Sequence, residues 1–442
     1  MSNPEFLEFT TRRRIAAQAA IDFHTDERLA CEVMIARLAA EPVPEEPAPT
    51  EPGPEQPTPE DPRPEEPKPE EPRPEEPKPE EPQPEEPKPE EPTPTDPTPT
   101  PPVTGWFNAF GPAELLSKLA AAKGGEVITA KGGYAYEGLT VSGVKPASKV
   151  IVAAEPGARF GQVVVRNSSK LELIGLPFLL ASAPVPTKAT PHFVTALNDT
   201  SEIEVIDCDF RARADADSYP DWALADWVTW KMGAVLLSGP DSVIDGCTAT
   251  AVNMGFSVDG VRSAIRKSTV FGFSRDGARL TADYCTFDDN HVQDAIDIGD
   301  KNHWDGLQLF EVGNGHLVGL RIRRNTILGD AGIRGNPLTA PLQGIGGYGS
   351  PDGSGGSVQT TCEDLVAEDN VVEATNWHGM AFCITNDALI RGNRVTGYPM
   401  ARPTAKSWLK VYGRCTNVVV EDNQASDLKI AAACAQARNT LI

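Results

Sequence analysis

A short strand that ends in a compact polar residue recurs through the C-terminal three quarters of the sequence. The segments E-V-I-D-C-D-F, R-I-R-R-N-T-I and V-E-D-N-Q-A are three of its copies. Successive copies are 17, 21, 23 or 30 residues apart, with longer intervals of 39, 40 and 45 residues that fit two turns or one turn with a long loop. The polar residue of each copy is, in chain order, Cys208, Cys247, Ser268, Cys285, Asn325, Asn370, Asn393 and Asn423.

A repeat of about twenty residues indicates a solenoid, because each coil has an apolar face that only its neighbours can bury. Asparagine suits a sharp corner since it tolerates the left-handed backbone region, and stacked amides can bond to one another. The sequence therefore predicts an all-β fold over residues 104–442, a right-handed single-stranded parallel β-helix. At its start, the segment from Pro112 to Lys123 predicts one amphipathic helix that ends at a glycine pair.

Two different segments precede this domain. Residues 41–103 are rich in proline and glutamate, with 26 prolines, 20 acidic and 5 basic residues between Glu41 and Pro102. Proline at this density predicts an extended polyproline II linker of at most about 190 Å. Residues 1–40 are alanine-rich with apolar residues at helical spacing, which predicts short helices for attachment or oligomerisation.

The distribution of charge and cysteine excludes several classes of protein. The linker contributes −15 of the total net charge of −23, and no basic face indicates nucleic acid binding. No apolar run is long enough for a membrane span, and no secretory signal is evident. The eight cysteines are widely spaced without a C-x-x-C pair, so we expect neither a zinc site nor a disulfide framework.

Three short motifs carry a resemblance to a known family: N-H-W-D-G-L-Q from Asn302, L-Q-G-I-G from Leu342 and N-W-H-G-M from Asn376. With the repeat, they resemble the right-handed β-helix, pectate-lyase-like superfamily, and more narrowly the parallel β-helix repeat proteins of bacteria and their phages. The resemblance covers about Gly125 to Ala425 and implies the fold. It implies no single reaction, since the D-P-H-D motif of mannuronan epimerases and most of the polygalacturonase set are absent.

The densest polar stretch, Ser274 to Gln308, predicts an outward-facing groove on stacked coils. Paired carboxylates on adjacent coils could act as general acid and base in glycoside hydrolysis. Asp276 lies 18 residues before Asp294 and 17 after Asp259, which predicts that these three stack. The residues predicted to be catalytic are Asp294 or Asp297 with Asp305, assisted by His303 or His378.

A lyase is the second interpretation of the same stretch, because arginine could neutralise a uronate carboxylate while a base removes the C5 proton. The predicted substrate-binding residues are Arg275, Asp276, Arg279, Trp304, Gln308, Arg334 and Trp377. No metal site or cofactor is predicted, although a lyase could use Ca²⁺. The alternatives are structural: Asp-Gly pairs form turns, His378 could be a packed polar residue, and the insertion from Asp215 to Trp230 could cover the core.

The arrangement of helices, spacer and β-helix is similar to that of a phage tailspike or head fibre. This resemblance implies a virion or extracellular spike that binds and degrades a bacterial surface polysaccharide, with a non-catalytic glycan-binding fibre as the alternative. We further expect a homotrimer whose N-terminal segment docks to a larger particle, with release by cell lysis.

Overall fold

The computed structural model describes residues 109–185, 190–310, 315–347, 360–397, 399–400 and 406–442. The helices predicted for residues 1–40 and the linker predicted for residues 41–103 lie outside this part of the chain. In the described part, no helix is long and apolar enough to cross a membrane.

Each turn of the chain visits three parallel sheets in a fixed order, here named sheets 1, 2 and 3. Sheet 1 contains β1 (Ala109–Phe110), β2 (Val127–Ala130), β5 (Val150–Ala154), β8 (Ser169–Ile174), β11 (Ser201–Ile206), β14 (Val243–Asp245), β17 (Ala264–Arg266), β20 (Thr286–Asp288), β23 (His316–Val318), β24 (Arg321–Arg323), β27 (Thr361–Glu368) and β34 (Ala435–Ala437). Sheet 2 contains β3 (Ala135–Tyr136), β6 (Arg159–Phe160), β9 (Pro177–Leu179), β12 (Asp209–Arg211), β15 (Thr248–Val252), β18 (Thr269–Phe273), β21 (His291–Ala295), β25 (Thr326–Leu328), β28 (Val371–Ala374), β30 (Arg394–Gly397), β32 (Gln424–Ala425) and β35 (Thr440–Leu441). Sheet 3 contains β4 (Leu139–Ser142), β7 (Val163–Arg166), β10 (His192–Ala196), β13 (Gly233–Leu237), β16 (Phe256–Val258), β19 (Asp276–Leu280), β22 (Asp305–Leu309), β26 (Gln343–Gly347) and β33 (Asp427–Ile430). The long strands β29 (His378–Arg391) and β31 (Trp408–Glu421) begin in sheet 3 and end in sheet 1.

The strands pair in parallel with strands of neighbouring turns, which is the topology of a right-handed parallel β-helix. The predicted fold is therefore confirmed. Inward side chains stack in columns along the axis. In sheet 2, for example, the ring centroids of Tyr136 and Phe160 are 4.7 Å apart and those of Phe178 and Phe210 are also 4.7 Å apart.

A continuous ladder of asparagines, buried except for the half-buried Asn439 at its end, lies at the corner between sheets 1 and 2. Its members are Asn290, Asn325, Asn370, Asn393, Asn423 and Asn439. The Oδ1 of Asn370 accepts from both the backbone N–H (3.1 Å) and the Nδ2 (2.9 Å) of Asn325, and each later pair repeats this geometry. The predicted alignment of the four asparagines named in the repeat is confirmed.

Two details of the predicted repeat are wrong. Cys285 is not at this corner: Asn290 occupies the ladder position of that turn, and the Cys285 Sγ contacts Gly260 O at another corner. The left-handed residue is also not the asparagine but the one before it, with φ of 58° at Asp289 and 55° at Arg324. The asparagine itself supplies inward hydrogen bonds instead of unusual backbone angles.

Two helical segments cover surfaces of the solenoid. Helix α1 (Pro112–Ala121) buries Leu115 and Leu119 against the first turn, which confirms the predicted helix with an end two residues earlier. The insertion between β12 and β13 contains a 3₁₀ helix (Ala216–Asp221) and α2 (Leu224–Thr229). Its Tyr219 and Trp227 are buried with Ala251 and Ile296 in an apolar cluster separate from the main core, so the insertion covers the outside of the solenoid there.

Candidate functional site

A cleft of about 480 Å³ lies on the outer face of sheet 3, and strands β10, β13, β16 and β19 contribute to it. The outward positions Thr195, Leu236, Ser257 and Arg279 occupy one register column across these strands, so they line up along the axis. The other polar residues that line the cleft are Gln162, Thr190, His192, Asp259, Arg275 and Thr281. Of these, sequence reasoning placed Arg275 and Arg279 among the substrate-binding residues and Asp259 in the predicted stack of carboxylates.

His192, which sequence reasoning missed, is buried at the start of β10 and lines the cleft. Its imidazole lies over Gly233 of the next turn, where a β-carbon would come within 2.4 Å of the ring. Among the described residues, no group forms a hydrogen bond with its Nε2. The signal in the sequence was weak, because a single histidine after proline marks no motif.

The imidazole of His192 is neutral at neutral pH. Burial lowers the pKa of His192 from 6.5 to about 4, and the positive charges of Arg279 and Arg275 add to the effect. A neutral imidazole has one nitrogen that can accept a proton, which makes it a candidate base in the cleft.

Two arginines give the cleft positive charge. The guanidinium of Arg279 donates to the buried carboxylate of Asp276 at 2.6 Å. Within the described residues, no carboxylate forms an ion pair with Arg275, and burial and the charge of Arg279 lower the pKa of Arg275. Arg275 is therefore the cation of this cleft that an anionic ligand could compensate.

Asp259 is the one acidic residue among those that line the cleft. Its carboxylate accepts hydrogen bonds from the hydroxyls of Thr281 (2.8 Å), Ser257 (3.2 Å) and Ser238 (3.3 Å). These bonds fix its orientation on the side of the cleft where β16 and β19 end.

The predicted stack of Asp259, Asp276 and Asp294 is wrong. Asp276 is in register with Asp305 of the next turn, and both carboxylates are buried. On the turn of Asp276, the side-chain neighbour of Asp259 is Thr281 and not Asp276. The spacing between Asp276 and Asp294 is shorter than one turn here, because the turn from Asp276 to Asp305 includes an extra segment before β22. Both Asp276-Gly277 and Asp305-Gly306 begin strands and do not form turns.

Asp294 and Asp297 lie away from the cleft. Asp294 is fully buried on sheet 2, where it accepts from the Tyr219 hydroxyl and from the Gly332 N–H at 2.8 Å. Asp297 caps a local turn by accepting from the Gly299 N–H at 2.7 Å. Neither shares a sheet with Asp305, so the predicted hydrolytic pair is not assembled. Their catalytic roles stay untested predictions, and the observed contacts are structural.

The two histidines predicted to be catalytic, His303 just before β22 and His378 at the start of β29, lie nearer the C-terminal end of the solenoid than the cleft. His303 Nδ1 lies 3.1 Å from Gln343 Nε2, and Gln343 is the register partner of Asp305. Burial lowers the pKa of His378 to about 4, and the neighbouring Lys410, His303 and Lys429 add to this effect. The structure thus brings His303, Asp305 and His378 into one neighbourhood, separate from the cleft.

The remaining predicted binding residues fall into different places. Trp304 is buried and donates from Nε1 to Ile296 O at 2.8 Å, so it belongs to the core. Gln308 is half-buried next to Arg279 in the outward column. Arg334 forms ion pairs with Asp330 and Glu373 and does not line the cleft. Trp377 is half-buried beside His378, with ring centroids 6.2 Å apart.

No metal centre is evident in the part of the chain that the structure describes. There, no group of three or more His, Cys, Asp or Glu side chains is arranged to hold an ion. The cysteines of this part are buried and unpaired. The cleft therefore has hydrogen-bonding and proton-transfer groups from the chain itself: two guanidiniums, an imidazole, a carboxylate and several hydroxyls.

No family model matches the sequence, and no curated protein does. A mannuronic acid specific polysaccharide family 6 lyase from human gut microbiota is similar in structure, with a TM-score of 0.36 and 11% identity over 75% of this chain and 86% of that chain. The Dettilon tailspike protein has a TM-score of 0.34 and 10% identity over 74% of this chain and 63% of that chain. A double mutant of the periplasmic alginate epimerase AlgG has a TM-score of 0.22 and 13% identity over 72% and 77%. Comparison at these levels assigns no role to any residue of the cleft.

Proposed function

We propose that this β-helix binds an acidic bacterial surface polysaccharide in the cleft on sheet 3 and cleaves it there. One observation carries the proposal: in the same cleft, the buried Nε2 of His192 has no hydrogen-bond partner and the half-buried Arg275 has no carboxylate in an ion pair among the described residues. Burying polar groups without partners costs free energy, so such groups concentrate where a ligand completes them. A carboxylate suits Arg275, since guanidinium binds planar anions with two hydrogen bonds.

The residues of the cleft favour elimination over hydrolysis. Glycoside hydrolysis generally uses two carboxylates on opposite sides of the bond, and Asp259 is the one acidic residue that lines the cleft. Elimination needs a cation that stabilises the charge on a uronate carboxylate and a base that removes the C5 proton. Arg275 could supply the first and neutral His192 the second. As the C4–C5 double bond forms and the C4–O bond breaks, the imidazolium formed on His192 could return the proton to the departing oxygen.

The same proposal includes the setting of the protein. Residues 1–103 have the composition of an attachment segment followed by a stiff spacer, which suits a virion spike or extracellular fibre. A homotrimer and docking of residues 1–40 to a larger particle remain predictions from the sequence.

The test compares Arg275→Ala with Arg262→Ala in the full chain. Arg262 is an exposed arginine that pairs with Asp241 at 2.7 Å, so its loss removes a positive charge without changing the cleft. We expect Arg275→Ala to weaken binding to polygalacturonate and to capsular polysaccharide about 10- to 100-fold, the usual effect of losing hydrogen bonds to a charged group. Arg262→Ala should bind like the unchanged protein.

Product analysis separates cleavage from binding alone. Unsaturated uronate absorbance would indicate elimination, and reducing ends without that absorbance would indicate hydrolysis. His192→Gln should abolish the products while polymer binding remains. Tight binding without any product would support the non-catalytic fibre, and equal binding by both arginine variants would overturn the assignment of the cleft.

A further inference from the structure

A second cluster of aromatic and basic side chains lies on sheet 3, nearer the C-terminal end of the solenoid. It contains Trp377, His378, Trp408, Lys410 and Lys429, and we name it the aromatic patch. The ring centroids of Trp377 and Trp408 are 6.4 Å apart, and that of His378 is 5.2 Å from that of Trp408. Trp377 directly precedes β29, and the other residues lie at or near the start of β29 and β31 or on β33, so successive turns hold them side by side.

The patch is separate from the cleft but on the same face. Arg279, Gln308, Gly346, Ala381 and Lys410 follow one another in a single register column. Four steps between turns separate Arg279 from Lys410, which is about 19 Å at about 4.8 Å per strand. Gly346 and Ala381, which lie between the cleft and the patch in this column, are buried.

The charge of the patch is positive and incompletely compensated. Within the described residues, no carboxylate forms an ion pair with the half-buried Lys410, whose Nζ lies 4.3 Å from the centre of the Tyr412 ring. Lys429 has Asp427 at 3.6 Å and also lies 3.5 Å from the centre of the Trp408 ring. By contrast, the arginines along sheet 1 are paired with carboxylates of adjacent turns, as Arg266 is with Asp245 and Arg323 with Asp288.

Half-buried indoles beside lysines match the chemistry of an acidic sugar. An indole offers an apolar surface to the C–H face of a sugar ring, and an ammonium group attracts the carboxylate of that sugar. His378 is neutral at neutral pH, so it can hydrogen-bond to hydroxyls without adding charge.

We propose that the aromatic patch is a second binding site for acidic sugars, which takes a distant segment of the polymer that occupies the cleft. This inference rests on the proposed function, because the cleft supplies the first point of attachment. Two linked sites bind a long chain more tightly than either binds alone, since the second contact is intramolecular. The patch thus selects long chains over short fragments.

The experiment measures affinity for polygalacturonate of two lengths by calorimetry, with dextran as the neutral probe and dextran sulfate as the sulfated one. The variants are Trp377→Ala combined with Lys410→Ala, and Lys123→Ala as a control at an exposed lysine after α1. We expect the double variant to lose about 10-fold or more in affinity for long polygalacturonate and nothing for short fragments. The Lys123→Ala control should change neither affinity.

The outcomes separate this inference from the proposed function. If long chains bind the double variant as tightly as the unchanged protein while Arg275→Ala loses them, the patch is not a second site and the cleft stands. If polygalacturonate and dextran sulfate both fail to bind the unchanged protein, the proposed function itself fails. Equal loss for dextran and for the charged polymers would overturn the assignment of the patch to acidic sugars.

Discussion

The asparagine corner lies on the turns that follow the cleft strands β10, β13, β16 and β19, and the polar groups of the two regions are arranged in opposite ways. At the corner, each asparagine amide bonds to the turns before and after it, and Asn325, Asn370 and Asn393 are completely buried. In the cleft, the buried His192 Nε2 and the Arg275 guanidinium have no such partners among the described residues. The asparagine corner uses its polar groups to join successive turns, and the cleft leaves its polar groups available to a ligand.

This contrast shows how a solenoid separates stability from binding. Repetition satisfies a buried polar group when the next turn presents the same residue at the same height. Where neighbouring turns present different residues, a buried polar group needs a hydrogen-bond partner from elsewhere, and a ligand can supply it. Three measurements test this difference between the corner and the cleft.

The largest effect is expected for Asn370→Ala at the corner. It removes the acceptor of both the Asn325 backbone N–H and the Asn325 Nδ2, leaving two buried donors unsatisfied. We expect the free energy of unfolding to fall by about 3 kcal/mol, at about 1–3 kcal/mol for each unsatisfied group. Urea denaturation followed by circular dichroism measures this change.

Asn439→Ala is the matched control for the ladder. Asn439 is only half-buried and bonds to a single ladder neighbour, Asn423, so its loss should cost clearly less. Polygalacturonate affinity of the folded Asn370→Ala protein should be unchanged. A loss of affinity there would show that corner and cleft are coupled.

The second effect is a pH dependence that originates in the cleft. Between pH 6.5 and about 4, the unfolded chain takes up a proton at His192 that the folded protein excludes. The free energy of unfolding therefore decreases as pH falls through this window and receives no such contribution above it. Full protonation of the unfolded state corresponds to about 3 kcal/mol.

His192→Gln should flatten the stability profile over that window. His378 also has a pKa lowered to about 4, so it retains a similar dependence in the variant and serves as an internal reference. Unfolding curves at intervals between pH 4 and 7 give the difference between variant and unchanged protein. Identical profiles would mean that His192 takes up its proton in the folded cleft as readily as in the unfolded chain.

The smallest effect is expected for Arg266→Ala on sheet 1. Arg266 pairs with Asp245 at 2.7 Å, but half of its side chain is exposed. Exposed ion pairs contribute about 0–1 kcal/mol, and salt screens them. We expect a change in the free energy of unfolding below about 1 kcal/mol that disappears in high salt. A larger loss of stability that salt does not change would mean that the ion pairs of sheet 1 stabilise the fold as strongly as the buried asparagine ladder does.

The sequence was sufficient for the architecture because the ladder asparagines repeat in recognisable surroundings, and each turn reinforces the same pattern. It failed at Cys285, since a compact polar residue at one corner cannot be told from its equivalent at another. The site was less predictable because it depends on register between turns of unequal length. Asp294 could not be distinguished from Asp305 without knowing that Tyr219, 75 residues earlier, reaches back to bind it. His192 was not identifiable because its significance lies in Gly233 and Arg275, which only folding brings near.

The insertion after β12 has a mechanical consequence. Its Tyr219 lies against Gly272 of β18 and bonds to Asp294 of β21, and Pro220 O accepts from Asn336 at 2.7 Å beyond β25. The insertion therefore links several consecutive turns through contacts on their outer side. A force that separates the solenoid one turn at a time must first break these contacts. We therefore expect the resistance to stretching to be greatest in the middle of the solenoid.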